Sequence, residues 1–185
     1  MRRLVQSGLT AAALLVAVAF AAPAGAATTA DLFAGFQSKS TDPVEVDATT
    51  LEVYEEGDQR ISVFSGGVTV RRGETLMKAA TIKLFSNLDT KSADAFTRIE
   101  ADGDIFVKSG EQTVTGASAV VDMKSNTITV SGGVVLSQGA NVITGNRLVV
   151  NLITGRARVE QAPGQQIRGV FSPGSGGLDL PSPGQ

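Results

Sequence analysis

The chain of 185 residues contains no cysteine and no histidine. Without cysteine there is no disulfide framework to hold a small fold and no thiol to carry a lipoprotein anchor after a signal sequence. The joint absence removes Ser-His-Asp triads, Cys-His dyads and the usual zinc sites. Tryptophan is also missing, and only Tyr54 and eight phenylalanines, several at inward positions, could supply the exposed aromatics that a third reading, a polysaccharide-active β-helix enzyme, would want. The basic residues are scattered along the chain rather than gathered on one stripe, which gives no footprint for a nucleic-acid partner. No nucleotide-binding loop is present.

What is present begins with a secretory signal. Arg2 and Arg3 supply the positive start, Leu9 to Ala22 a short apolar core, and Ala24-Gly25-Ala26 a small-residue cleavage site. The apolar run is about 14 residues, against roughly 20 for a membrane span, so a cleaved signal over 1–26 is expected. The mature chain then starts at Ala27 and works outside the cytoplasm. Removing Arg2 and Arg3 from 16 basic residues leaves 14 against 18 acidic ones, a net charge near −4.

The mature length suits one domain. Valine, isoleucine, threonine and glycine are plentiful and aromatics few, which favours short strands and tight turns and predicts an all-β fold. Writing φ for an apolar residue, the pattern G-x-φ-x-φ-x-x-G-x-x-x-φ-x-[AG]-x-x-φ-x-φ occurs three times without a gap. The first copy uses Gly66, Val68, Val70, Gly73, Met77, Ala79, Ile82 and Leu84. The second uses Gly103, Ile105, Val107, Gly110, Val114, Gly116, Ala119 and Val121. The third uses Gly132, Val134, Leu136, Gly139, Ile143, Gly145, Leu148 and Val150, and a half copy precedes them at Val46, Ala48, Leu51 and Val53.

Apolar residues two apart have the period of a half-buried strand, with solvent-suited residues such as Thr69, Lys83, Thr115 and Ser137 between them. Each copy therefore reads as strand, glycine turn, short strand, Ala/Gly corner, strand, with the glycines placed where the chain reverses or where backbones approach. RISVFS, FTRIEA and NTITVS add strands between copies, for about 14 short strands that stack on their neighbours. Residues 86–94 (SNLDTKSAD) read as a hairpin loop. A flexible leader over 27–41, a domain over 42–171 with a last strand at Gln165 to Phe171, and a disordered Pro/Gly/Ser tail over 172–185 complete the layout.

Two polar clusters merit a chemical reading. Glu100, Asp102 and Asp104 in EADGD are the best-grouped acids, open to a paired-carboxylate or calcium interpretation. They coincide, however, with the turn that opens the second copy, and a solvated turn accounts for them. Arg71, Arg72, Lys78, Arg147, Arg156 and Arg158 could meet phosphate, or serve as a charged outer face that guards strand edges.

The acidic alternating start at Pro43, Val44, Glu45, Val46, Asp47 and Ala48, the F-S-G-x-V-x-V hairpin at Phe64 to Val70, and the ordered glycine repeat together carry a likeness. Over residues 42–171 the chain resembles the OstA-like domain of the LptA family of lipopolysaccharide-transport bridge proteins. The resemblance implies an open, twisted β-jelly roll built from the repeats, with no enzymatic activity and no cofactor. It implies a periplasmic carrier whose apolar groove holds the acyl chains of lipid A. Its partners would be lipopolysaccharide and the inner-membrane and outer-membrane transport proteins that carry related domains, with copies or relatives joined edge to edge, a homo-oligomer included.

On this reading the repeated φ row supplies the groove: Val46, Leu51, Val53, Val68, Val70, Met77, Ile82, Leu84, Ile105, Val107, Val114, Val121, Leu136, Ile143, Leu148 and Val150. Edge contacts to a partner fall at Val44, Glu45, Val46 and Asp47 and at Ile167, Arg168, Val170 and Phe171. The same row could instead be plain core in a structural or adhesive β-solenoid with no internal ligand. Periodicity assigns a face to each side chain and leaves open which of them a ligand could touch.

Overall fold

The structure is a computed structural model in which Phe33, residues 42–88 and residues 96–173 are described. Among them, chain order gives β1 (Glu45–Asp47), β2 (Thr50–Glu56), β3 (Gln59–Arg72), β4 (Thr75–Asn87), β5 (Phe96–Ser109), β6 (Gln112–Asp122), β7 (Thr127–Gln138), β8 (Asn141–Asn151), β9 (Ala157–Glu160) and β10 (Arg168–Val170). All pair antiparallel in one sheet whose path runs β1-β3-β4-β5-β6-β7-β8-β10, with β2 on β3 and β9 on β8. The two ends of the path do not pair with each other, so the sheet is open.

Local sequence explains the hairpins. Arg72 pairs with Thr75, Ser109 with Gln112 and Gln138 with Asn141, so each loop has two residues and glycine comes first. Gly73, Gly110 and Gly139 lie at φ of +56°, +55° and +54°, a backbone region open to glycine at no steric cost and favoured in two-residue hairpins. These reversals fall where the repeat places them.

The other glycines of the repeat behave differently. Gly66, Gly103 and Gly132 are expected to open a turn, yet each sits inside a strand of 12 to 14 residues. The F-S-G-x-V-x-V stretch is thus a bend within β3 rather than a hairpin, and the described residues form ten strands, six of them long, where about 14 short ones are expected of the chain. At each bend two successive residues have positive φ: Gly66 and Gly67, Gly103 and Asp104, Gly132 and Gly133. The pairing register shifts at the same places, between Ser65 and Val68, Asp102 and Ile105, and Ser131 and Val134. An extra left-handed pair in one strand of an antiparallel ladder bends the strand sharply. Asp104, at φ +47°, fills the second position with a residue type that tolerates this region.

Because the bends are in line, the sheet divides into two leaves. One leaf joins β2 to 59–65 of β3, 81–87 of β4, the first half of β5, 118–122 of β6, 127–131 of β7, 147–151 of β8 and β9. The other joins β1 to the remaining halves and to β10. Thr49, between β1 and β2, ties their connection to the bend of β3 by donating its hydroxyl to the Gly66 carbonyl at 2.7 Å. The core is aliphatic, drawn from the inward faces of both leaves.

Most of the expected leader and tail lies outside the described residues, as do residues 89–94 of the loop expected at 86–94, in which Ser86 and Asn87 still belong to β4. Phe33, the described member of the leader, is 1% exposed within the core cluster. Ser172 donates its N–H to the Asn141 side-chain oxygen at 3.1 Å. The final strand is shorter than expected, covering Arg168–Val170 only.

Candidate functional site

Equivalent positions of the repeat become rows of one wall. Directly opposed residues in an antiparallel ladder project to the same face, and the register runs Leu51, Phe64, Ile82, Ala101, Ala119, Val130, Leu148, Val159 across one leaf. Val53, Ser62, Leu84, Ile99, Val121, Ile128, Val150 and Ala157 form the row beside it. In the facing leaf Val46, Val70, Met77, Val107, Val114, Leu136 and Ile143 share a row. Val68 pairs with Ala79, and Ile105 with Gly116, near the corner. All sixteen candidate residues therefore lie on the inward face.

Solvent access divides that wall. In the C-terminal half Val114, Val130, Leu148 and Val150 are 0% exposed, and Ile105, Val107, Val121 and Leu136 are equally sealed. Met77, Ile82, Val68 and Ile143 are buried as well. Toward the N-terminal edge the same rows open: Val46, Val70 and Leu84 are partly buried, while Leu51 and Val53 are 56% and 53% exposed. An apolar surface left in water at the end of a continuous buried row is unfavourable unless something covers it. The arrangement has no reacting group; what it can do is receive an apolar ligand or another apolar wall.

Several inward residues escape the repeat pattern. Phe64, Ile99, Ala101, Ile128 and Val130 belong to the strands between copies, where the alternation in RISVFS, FTRIEA and NTITVS was the available signal. A polar row also bounds the wall at its hairpin end, made of Thr75, Ser109, Gln112, Gln138 and Asn141 in register. Thr75, Gln112 and Asn141 are buried. Each follows a glycine loop at the same offset, in GET, GEQ and GAN.

The edges are more extensive than the two expected. β1 and β2 divide the free side of β3 between them, and β9 and β10 divide that of β8. Val44 is exposed just before β1, and Ile167, Val170 and Phe171 are exposed on or beside β10. Glu45 and Asp47 stand opposite Arg71 and Thr69, and Asp47 takes an ion pair from Arg71 at 2.6 Å.

Some members of the two polar clusters have local partners. The Arg72 Nε donates to the Asp42 carbonyl at 3.0 Å, and Arg98 donates to Glu100 of EADGD at 2.6 Å. EADGD is the bend of β5 rather than a turn between strands. Asp122 has its carboxyl held below the ordinary carboxylate range by the Ser125 backbone N–H, with further help from the Ser125 side chain; it closes the β6–β7 hairpin and faces no site.

Residues 45–156 match the family described as "LptA/(LptD N-terminal domain) LPS transport protein". An uncharacterized protein of Rhizobium meliloti (strain 1021) is 32% identical over 165 residues, covering 86% of this chain and 87% of the relative. The fold is similar to that of a crystal structure of LptH, described as the LptA-homologous periplasmic component of the lipopolysaccharide transport device of Pseudomonas aeruginosa. The match has a TM-score of 0.59 and 17% identity, and covers 74% of this chain and all of the other.

Proposed function

The chain belongs to the LptA/LptD N-terminal-domain family of lipopolysaccharide-transport proteins, and from that premise we propose that it is a periplasmic carrier that covers the acyl chains of lipopolysaccharide along its inward wall. The observation that carries the reading is the run of apolar rows from a sealed core out to Leu51 and Val53, both more than half exposed on the inward face. Val46, Leu51, Val53, Phe64, Val70 and Leu84 are the lipid contacts in this account. Val114, Leu136, Leu148 and Val150 act as the core that holds the leaves together.

The energetic need is large. Each methylene moved out of water is worth about 0.8 kcal/mol, so one 14-carbon chain exposed in an aqueous compartment is unfavourable by on the order of 10 kcal/mol. Covering several such chains requires apolar area and no directional chemistry. A wall of Val, Ile and Leu supplies that area, and sliding along it breaks no hydrogen bond.

The free sides of β1 and β2 at one end, and of β9 and β10 at the other, present unpaired main-chain groups to a further strand. Related domains anchored in the inner and outer membranes, or second copies of this chain, would add there and continue the wall. Burial of Leu51 and Val53 would then be completed by a neighbour or by lipid.

The test is co-elution of purified lipopolysaccharide with the mature protein, paired with cysteines placed at Val44 and Val170. Lipid should travel with the protein, and oxidation should yield head-to-tail linked chains or links to a related domain. A protein that never retains lipid would overturn the carrier reading; cysteines that never link would overturn the edge-to-edge assembly alone.

A further inference from the structure

Phe33 is the outlier in the core. Of the buried residues in the hydrophobic cluster, all lie on β3 to β8 except Leu152, which directly follows β8, and Phe33. Phe33 belongs to none of the ten strands, precedes all of them, and is 1% exposed. It is also among the largest fully buried side chains of the described residues.

The cluster that holds Phe33 also contains small residues of the inward wall. Ala79, Ala101 and Ala119 sit on inward positions of three successive strands and are 6%, 1% and 4% exposed. An alanine on a wall between two facing leaves reaches burial only when bulkier groups cover it, because protein interiors are close-packed. Phe33 and these three alanines belong to the same buried cluster.

We propose that the seat of Phe33 is an acyl-chain site, filled by the protein's own aromatic ring when no lipid is bound. The inference rests on the carrier reading above and adds to it a residue that an acyl chain would displace. Phe33 is suited to the exchange for three reasons. Its side chain makes no hydrogen bond that must be replaced. Its backbone is part of no strand, so its departure leaves every ladder intact. A phenyl ring and a length of acyl chain present similar apolar volume to the same wall. Lipid entry thus exchanges one apolar occupant for another, and the interior stays filled throughout.

The absence of tryptophan from the chain makes the test direct, since Phe33→Trp introduces a single reporter. In the lipid-free protein its emission should be that of a buried indole, shielded from iodide. Adding purified lipopolysaccharide should shift the emission to longer wavelength and open it to iodide quenching. Phe33→Ala, freed of the competing ring, should bind the same lipid about tenfold more tightly, and Phe33→Leu should fall between it and the native protein, keeping the comparison available if the alanine variant folds poorly. Lipid that co-elutes with every variant while the indole stays shielded and the affinities are equal would overturn the acyl-site assignment and leave the carrier reading standing. No lipid on any variant would overturn both.

Discussion

Leu51 and Leu148 occupy equivalent positions of the repeat and the same row of the wall, yet one is 56% exposed and the other 0%. Truncating each to alanine separates the two roles of that row. Leu148→Ala removes atoms that are completely buried, and buried Leu→Ala changes cost about 2–5 kcal/mol. At roughly 4 °C per kcal/mol for a domain of this size, the melting temperature should fall by about 8–20 °C. Leu51 has less than half of its surface covered by protein, and full burial of a leucine is worth about 1.5–3 kcal/mol, so Leu51→Ala should cost about 1 kcal/mol or less. The order reverses for lipid. An acyl chain lying on Leu51 would cover the remaining half, about 1 kcal/mol or roughly a fivefold loss of affinity on truncation, whereas folded Leu148→Ala should bind as the native protein does. Urea unfolding followed by circular dichroism gives the first pair of values, and lipopolysaccharide titration the second. Equal destabilisation by the two changes, or equal loss of lipid affinity, would refute the division of the wall into sealed and open halves.

The corner glycines offer a second contrast. Gly132→Ala places a side chain at φ +83° and 2.6 Å from the Ala117 Cβ, and should cost about 2–3 kcal/mol or more, whereas Gly139→Ala at φ +54° meets no atom within 4 Å and should cost about 1 kcal/mol; urea midpoints compare them. Asp47→Ala removes an ion pair whose side chains are 70% and 52% exposed, so the loss should be about 0.2–1 kcal/mol and should shrink as salt is added. Asp122 has a lowered folded-state pKa; its contribution is therefore complete above the unfolded carboxylate value and is lost as pH falls through the folded one. Asp122→Asn should flatten the acid limb of the stability profile at that point, seen as unfolding midpoints measured across the acidic range, and should leave neutral-pH lipid binding unchanged.

The sequence carried the inward face almost in full, because strand periodicity is a property of neighbouring residues and each copy restates it. Thus Val46, Met77, Val114 and Ile143, equivalent in the repeat, align in one row of the sheet. It did not distinguish a bend from a reversal. Ser-Gly-Gly at 65–67 and 131–133 has the composition of a hairpin loop, and the difference lies in whether the flanking segments pair with each other or both continue along the same neighbours. Ile61 shows the limit of alternation: it shares an outward row with Tyr54 and Phe85 yet is buried, since large cross-strand neighbours can cover a residue on either face. Solvent access was hidden for the same reason. Leu51 and Leu148 have the same side chain in the same place of the repeat, and only the number of strands beyond them separates an edge from a core.

The measurement that bears most directly on the account is photo-crosslinking to lipopolysaccharide from single positions of the folded, full-length mature chain. Leu51, Val53 and Val70 should yield lipid adducts, while Lys83 on the outward face and Leu148 in the sealed half should not. Adducts from Lys83 with none from the three inward positions would contradict the claim that the open end of the apolar wall is where lipid is held.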